Sequence, residues 1–151
     1  MSRLVCGDSE RFIRAILSPD FDDGVLKSTF LSGKKPSVNR LIITDVNESI
    51  SIFRHKLEKP NVQLLAYAMF GHLELKENTS KYVAKNKDLK RQNFTIQVEE
   101  DGKGDNPGHA EIMPKVPEGL ANHLYDIKDF FDIRNTDGSQ YKDPPSTDVA
   151  G

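Results

Sequence analysis

Apolar positions along the chain change their period several times, and each change predicts an element. Phe12, Ile13, Ile16 and Leu17 recur at helical spacing behind Asp8 or Ser9 as a cap, predicting a first helix near residues 9 to 17. Pro19 and the acidic run Asp20-Phe21-Asp22-Asp23-Gly24 stop it. Asp23-Gly24 reads as a turn, and Val25 to Phe30 as a brief strand. Ser37 to Thr44 reads as strand, centred on Leu41, Ile42 and Ile43. Asp45 and Glu48 then form a capping-box-like start, and Val46, Ile50, Phe53 and Leu57 carry the helical period over 45 to 58. Lys59-Pro60-Asn61 ends that helix.

Val62 to Phe70 has the length and apolar content of a central strand, and His72 to Leu75 is expected to resume beyond Gly71 as its partner. Phe94, Ile96 and Val98 alternate with Thr95, Gln97 and Glu99, the pattern of a half-buried strand. An acidic, glycine-rich loop over 100 to 108 leads to a strand over His109 to Met113. Pro117 suits a first helical position, and Leu120, Leu124, Ile127 and Phe131 extend a helix over 117 to 131. Beyond about Asn135 the apolar pattern stops, and Asp143-Pro144-Pro145-Ser146-Thr147 predicts a flexible tail.

These elements predict an α+β fold, a mostly antiparallel sheet with about three packed helices. A small α/β arrangement is the alternative, because Ser37 to Phe70 reads strand, helix, strand. The 151 residues suffice for one hydrophobic core, placed over 1 to 134 as a single domain with a tail over 135 to 151. The net charge of −2 supplies no global field toward nucleic acid or membrane, so any anion-seeking surface must be local. Cys6 is the lone cysteine, which excludes an intrachain disulfide and fits a structural role in a reducing compartment. No apolar run reaches the roughly 20 residues of a membrane span. The N-terminus meets Asp8 and Glu10 too soon for a signal peptide, so the expected location is cytoplasmic, without a membrane partner.

Candidate chemistry is sparse. The four histidines, His55, His72, His109 and His123, form no helical metal pair, and one cysteine cannot build a multi-thiolate zinc site. His72 with Glu74, and His109 with Glu111, are pairs two residues apart that on strands would each share a face. Nothing in the spacing selects a metal there, and no cofactor signature is present. The cluster Asp20, Asp22 and Asp23 lacks calcium-loop spacing and reads as a solvated turn. In Asp105-Asn106-Pro107-Gly108-His109-Ala110-Glu111, a turn presents an imidazole that can move a proton, with Glu111 placed to orient it. Ser37-Val38-Asn39-Arg40 puts a guanidinium beside the Lys34-Lys35-Pro36 loop, a combination suited to phosphate or carboxylate. Lys81, Lys85, Lys87, Lys90 and Arg91 make a local basic stretch near Tyr82 and Phe94, as a nucleic-acid surface requires, yet without a recognised nucleic-acid motif.

The phrases Phe21-Asp22-Asp23-Gly24, Ser37-Val38-Asn39-Arg40 and Asn106-Pro107-Gly108-His109-Ala110-Glu111 resemble those of small bacterial proteins of no established activity. The resemblance implies no reaction; it implies only that Arg40 and His109 could belong to one site. Three readings follow. The first is a binding or interaction domain for an anionic ligand, a protein partner or a second copy, with Arg40, Lys34, Lys35 and His72 as ligand contacts. The second is a hydrolase or transferase for a phosphate-bearing or nucleic-acid substrate, with His109, Arg40 and Glu111 as its machinery. The third is a non-catalytic nucleic-acid binder using the basic stretch.

Overall fold

The computed structural model describes residues 3–22 and 25–141. Its centre is a six-stranded antiparallel sheet built from β1 (Arg11–Leu17), β4 (Ser37–Arg40), β5 (Leu64–Gly71), β6 (Gln97–Glu100), β7 (His109–Met113) and β8 (Asp132–Asn135). The strands lie in the order β6-β7-β4-β1-β5-β8. A two-stranded ribbon, β2 (Phe21–Asp22) with β3 (Val25–Leu26), stands apart from it. Four helices pack around the sheet: α1 (Val46–Leu57), α2 (His72–Ala84), α3 (Lys87–Arg91) and α4 (Glu118–Asp126). The fold is therefore α+β, as the hydrophobic pattern predicts.

The first predicted helix is instead the inner strand β1. Phe12 and Ile16 enter the main core on one face of the sheet, while Ile13 and Ala15 enter a second cluster on the other. A strand buried on both faces reads as a nearly continuous apolar run, and six residues of such a run also satisfy helical spacing. The second correction runs the other way. His72 to Leu75 begins helix α2, whose buried positions His72, Leu75 and Thr79 follow a helical stripe.

Helix α1 forms where its cap predicts. The Asp45 carboxylate accepts a hydrogen bond from the Glu48 N–H at 2.8 Å, and Phe53 is driven against Ile13, Ala15, Leu64 and Tyr67. On the opposite face, α2 and α4 cover the larger core through Leu75, Leu120, Ala121 and Leu124. The last helix ends at Asp126 rather than 131. Phe130 and Phe131 follow it as a ring cluster against Phe70, and the chain then forms β8. Order continues past residue 135, since Tyr141 N–H bonds the Ile133 carbonyl and its ring meets Phe21. The predicted tail beyond 141 and the Asp23-Gly24 turn lie outside the described residues.

Chain segments also lie along the outer strands. Val5 pairs opposite Glu99 on β6, with Cys6 N–H to Val98 O and Glu100 N–H to Leu4 O, both 2.9 Å. Residues 139 to 141 do the same for β8. Among the described residues no helix is long and apolar enough to cross a membrane.

Candidate functional site

The sheet is least continuous between β1 and β4. Their register holds at Phe12–Arg40 and Ile13–Asn39 only. Beyond it the Arg14 side chain takes the place of backbone pairing. Its Nη1 donates to the Ser37 carbonyl at 2.7 Å, while Nε and Nη2 donate to the Phe30 carbonyl at 3.2 and 2.7 Å. The guanidinium also lies 4.9 Å from the centre of the Phe30 ring.

A cavity of about 440 Å³ opens at this gap, under α1. Ala15, Leu17, Ile52, Phe53 and Leu57 give it an apolar wall, and Lys34, Lys35, Lys56, Lys103 and Arg14 give it a basic rim. Among the described lining residues Asp20 is the one carboxylate, and the positive side chains outnumber it. Two rim cations have carboxylate partners just outside it: Lys56 with Asp105, and Lys103 with Asp101 at 3.1 Å. Arg14 and Lys34 form no ion pair among the described residues. Burial pushes the Arg14 guanidinium down to about 10, partly offset by Asp20. Burial also lowers Lys34, and the charge of Arg14 lowers it further. Two desolvated cations thus repel one another across the lining. A guanidinium has five N–H donors, and the bonds to Phe30 and Ser37 leave two of Arg14's without a protein acceptor among the described residues.

His109 reaches the same cleft from β7. Strand register sets it opposite Asn39, so both side chains lie on the face that α1 covers. Its Nδ1 lies 3.1 Å from both the carbonyl and the carboxylate Oδ2 of Asp101, which orients the ring. Burial raises the Asp101 carboxyl, but hydrogen bonding from Lys103 and the charges of Arg3, Lys103 and His109 outweigh it and hold it below its usual range. The loop carrying His109 is fixed by a buried chain of side chains. Asn106 Nδ2 donates to Asn39 Oδ1 at 3.0 Å, Asn39 Nδ2 to Ser49 Oγ at 3.4 Å, and Ser49 Oγ to the Thr44 carbonyl at 3.2 Å. Gly108 must be small because a Cβ there would overlap the buried Thr44 hydroxyl.

Lys34, Lys35 and His109 therefore come together, while other sequence-predicted residues do not join them. Arg40 follows Asn39 on β4, so its side chain leaves the opposite face of the sheet. There its guanidinium grips Glu10 through two bonds of 2.7 and 2.8 Å and touches Glu100 at 3.4 Å. Arg40 does not line the cleft that His109 reaches, and Glu10 and Glu100 take up its guanidinium instead. Glu111 does not line the cleft and pairs with Arg3. His72 is fully buried, with Nδ1 3.0 Å from the Gly7 carbonyl and Nε2 accepting the Val98 N–H at 2.9 Å. Both ring nitrogens are occupied, so His72 is a core clamp and not a ligand contact. No cluster of three or more metal-ligating side chains occurs among the described residues.

Lys81, Lys85, Lys87, Lys90 and Arg91 are exposed along α2 and α3, on the side of the sheet away from the cleft. Tyr82 is not free to stack on bases. Its ring lies against His123, and Phe94 packs on the core. A second cavity, of about 510 Å³, mixes Asp126, Asp129 and Asp132 with Lys128 and Arg134 and has no convergent charge.

The hydrophobic pattern conceals Arg14, Lys56, Lys103 and Asp101 as site residues. The available signal for Arg14 is a charge inside the run Phe12-Ile13-Arg14-Ala15-Ile16-Leu17, which is conspicuous once that run is read as a strand. No protein-family model, curated protein or solved structure matches the chain.

Proposed function

We propose that the protein is a binding domain for an anionic small molecule, held in the cleft between α1 and the β1–β4 gap. The observation that carries this reading is the pair Arg14 and Lys34. Both are half-buried in the cleft lining, neither has a carboxylate partner within ion-pair distance among the described residues, and the charge of Arg14 adds to burial in lowering Lys34. Like charges held close together in a partly enclosed cleft are unfavourable unless something of opposite sign meets them. A phosphate or carboxylate can accept from the two spare Arg14 donors and from Lys34, with Lys35 strengthening the field at the mouth. His109, oriented by Asp101, adds a hydrogen-bonding or proton-carrying group at the far wall.

The test is an amide chemical-shift titration with inorganic phosphate at millimolar concentration. Shifts should concentrate at Lys34, Ser37, Asn39 and His109. Lys34→Met should weaken binding by about tenfold, the ~1.4 kcal/mol near the lower end for a hydrogen bond to a charged group. Absence of localised shifts, or equal affinity in Lys34→Met, would overturn the assignment.

A further inference from the structure

The cleft is built from two unlike halves, and only one of them suits an anion. We infer that its ligand is an amphiphilic anion: a phosphate monoester or carboxylate head on a hydrocarbon body. This inference rests on the anion-binding reading above and specifies what the rest of the ligand must be.

Arg14, Lys34 and Lys35 sit where β1 and β4 part, beside the Ser37 carbonyl. The opposite wall is hydrocarbon. Ile52, Phe53 and Leu57 come from α1, and Ala15 and Leu17 from the side of β1 that faces it. Leu57 keeps 37% of its surface exposed, and Ile52 and Leu17 are each only half-buried. An inorganic ion neutralising the basic end would leave this wall facing water. It would also leave most of the cavity unused, because 440 Å³ lies within the roughly 300–1,000 Å³ typical of small-molecule sites. A ligand with its head on Arg14 and Lys34 and its body along Phe53 and Leu57 satisfies both halves at once. Lys56 emerges one turn beyond Ile52, its amine directed to Asp105, and its methylene stem extends the apolar lining.

The probes are inorganic phosphate, butyl phosphate, octyl phosphate below its micellar concentration, octanol, and vesicles containing phosphatidic acid. Octyl phosphate should bind more tightly than inorganic phosphate, by about fourfold for each methylene the cleft covers, which corresponds to ~0.8 kcal/mol per group. Octanol should bind far more weakly than octyl phosphate. Leu57→Asn should weaken the octyl ester by a larger factor than inorganic phosphate, whereas Lys34→Met should weaken both by a similar factor. Equal affinity for inorganic phosphate and octyl phosphate would overturn the amphiphile and leave the anion site standing. Equal affinity for octanol and octyl phosphate would remove the anion site as well. Retention on vesicles without binding of octyl phosphate would overturn an enclosed soluble ligand in favour of a membrane surface.

Discussion

Replacing Glu10 by glutamine isolates the structural role of Arg40. The Glu10 carboxylate accepts from Arg40 Nε and Nη2 and from the Gly7 N–H at 2.8 Å, with 9% of the glutamate side chain and 17% of the arginine side chain exposed. Hydrogen bonding from Arg40 holds the Glu10 carboxyl below its ordinary 4.5 against the opposing effect of burial, helped by Gly7 and the arginine's charge. Breaking a fully buried pair costs roughly 3–5 kcal/mol, and an exposed pair contributes at most about 1 kcal/mol. This pair is mostly enclosed but retains a water-facing edge, and Glu100 at 3.4 Å still offers Arg40 a partner. Glu10→Gln should therefore lose about 2–3 kcal/mol near neutral pH. The dependence on pH has a definite sign. The folded pKa is depressed, so as pH falls the unfolded chain takes up the proton first. The pair's contribution is full above the ordinary carboxylate value and disappears as pH falls through the folded one. Urea unfolding of both proteins from neutral to acidic pH should show a gap that closes below about pH 4. A gap under ~0.5 kcal/mol at neutral pH, or one that persists unchanged into acid, would refute the assignment of Arg40 to structure rather than ligand.

Three further outcomes follow from the same geometry. Gly108→Ala should destabilise by about 1–3 kcal/mol through overlap with Thr44, and Thr44→Ala in the same chain should restore most of the loss, as a double-mutant unfolding cycle would measure. His72→Phe keeps the aromatic volume but strands the buried Val98 N–H, while the Gly7 carbonyl keeps its bond from the Glu10 N–H; a loss of about 1–3 kcal/mol is expected, with faster amide exchange at Val98. Neutralising Lys81, Lys85, Lys87, Lys90 and Arg91 together should leave phosphate binding in the cleft within about twofold, because these exposed groups lie across the sheet from it and salt screens exposed charges. The same variant tests the nucleic-acid reading, since salt-dependent retention on single-stranded RNA by the parent should vanish in it.

What could be read from the chain depended on how local the cause was. Asp45 and Glu48 predict the start of α1 correctly because capping involves neighbours in sequence. The strand over His109 to Met113 is equally legible, and its turn residues locate the one histidine that reaches the cleft. Phe12 to Leu17 is misread because burial on both faces comes from α1 on one side and α2 with α4 on the other, none of them visible locally. That error also hides Arg14, since a charge on a supposed surface helix needs no explanation. Arg40 attracts attention for its chemistry, yet pairing with Glu10, thirty positions away, removes it from the ligand set. Beside the Lys34-Lys35 loop, sequence alone cannot distinguish which arginine reaches the cleft; the partners decide it, since Glu10 holds Arg40 while Arg14 lies at the β1–β4 gap.

The straps along β6 and β8 bear on how this protein behaves at high concentration. An uncovered strand edge offers a row of free N–H and C=O groups that a neighbouring molecule can extend into a fibre. Residues 4 to 6 occupy that position on β6, and residues 139 to 141 on β8. Loss of the first strap by proteolysis, or its displacement by a fusion tag, would convert a self-contained sheet into one able to polymerise edge to edge. Choice of tag position is thus a solubility variable for this molecule.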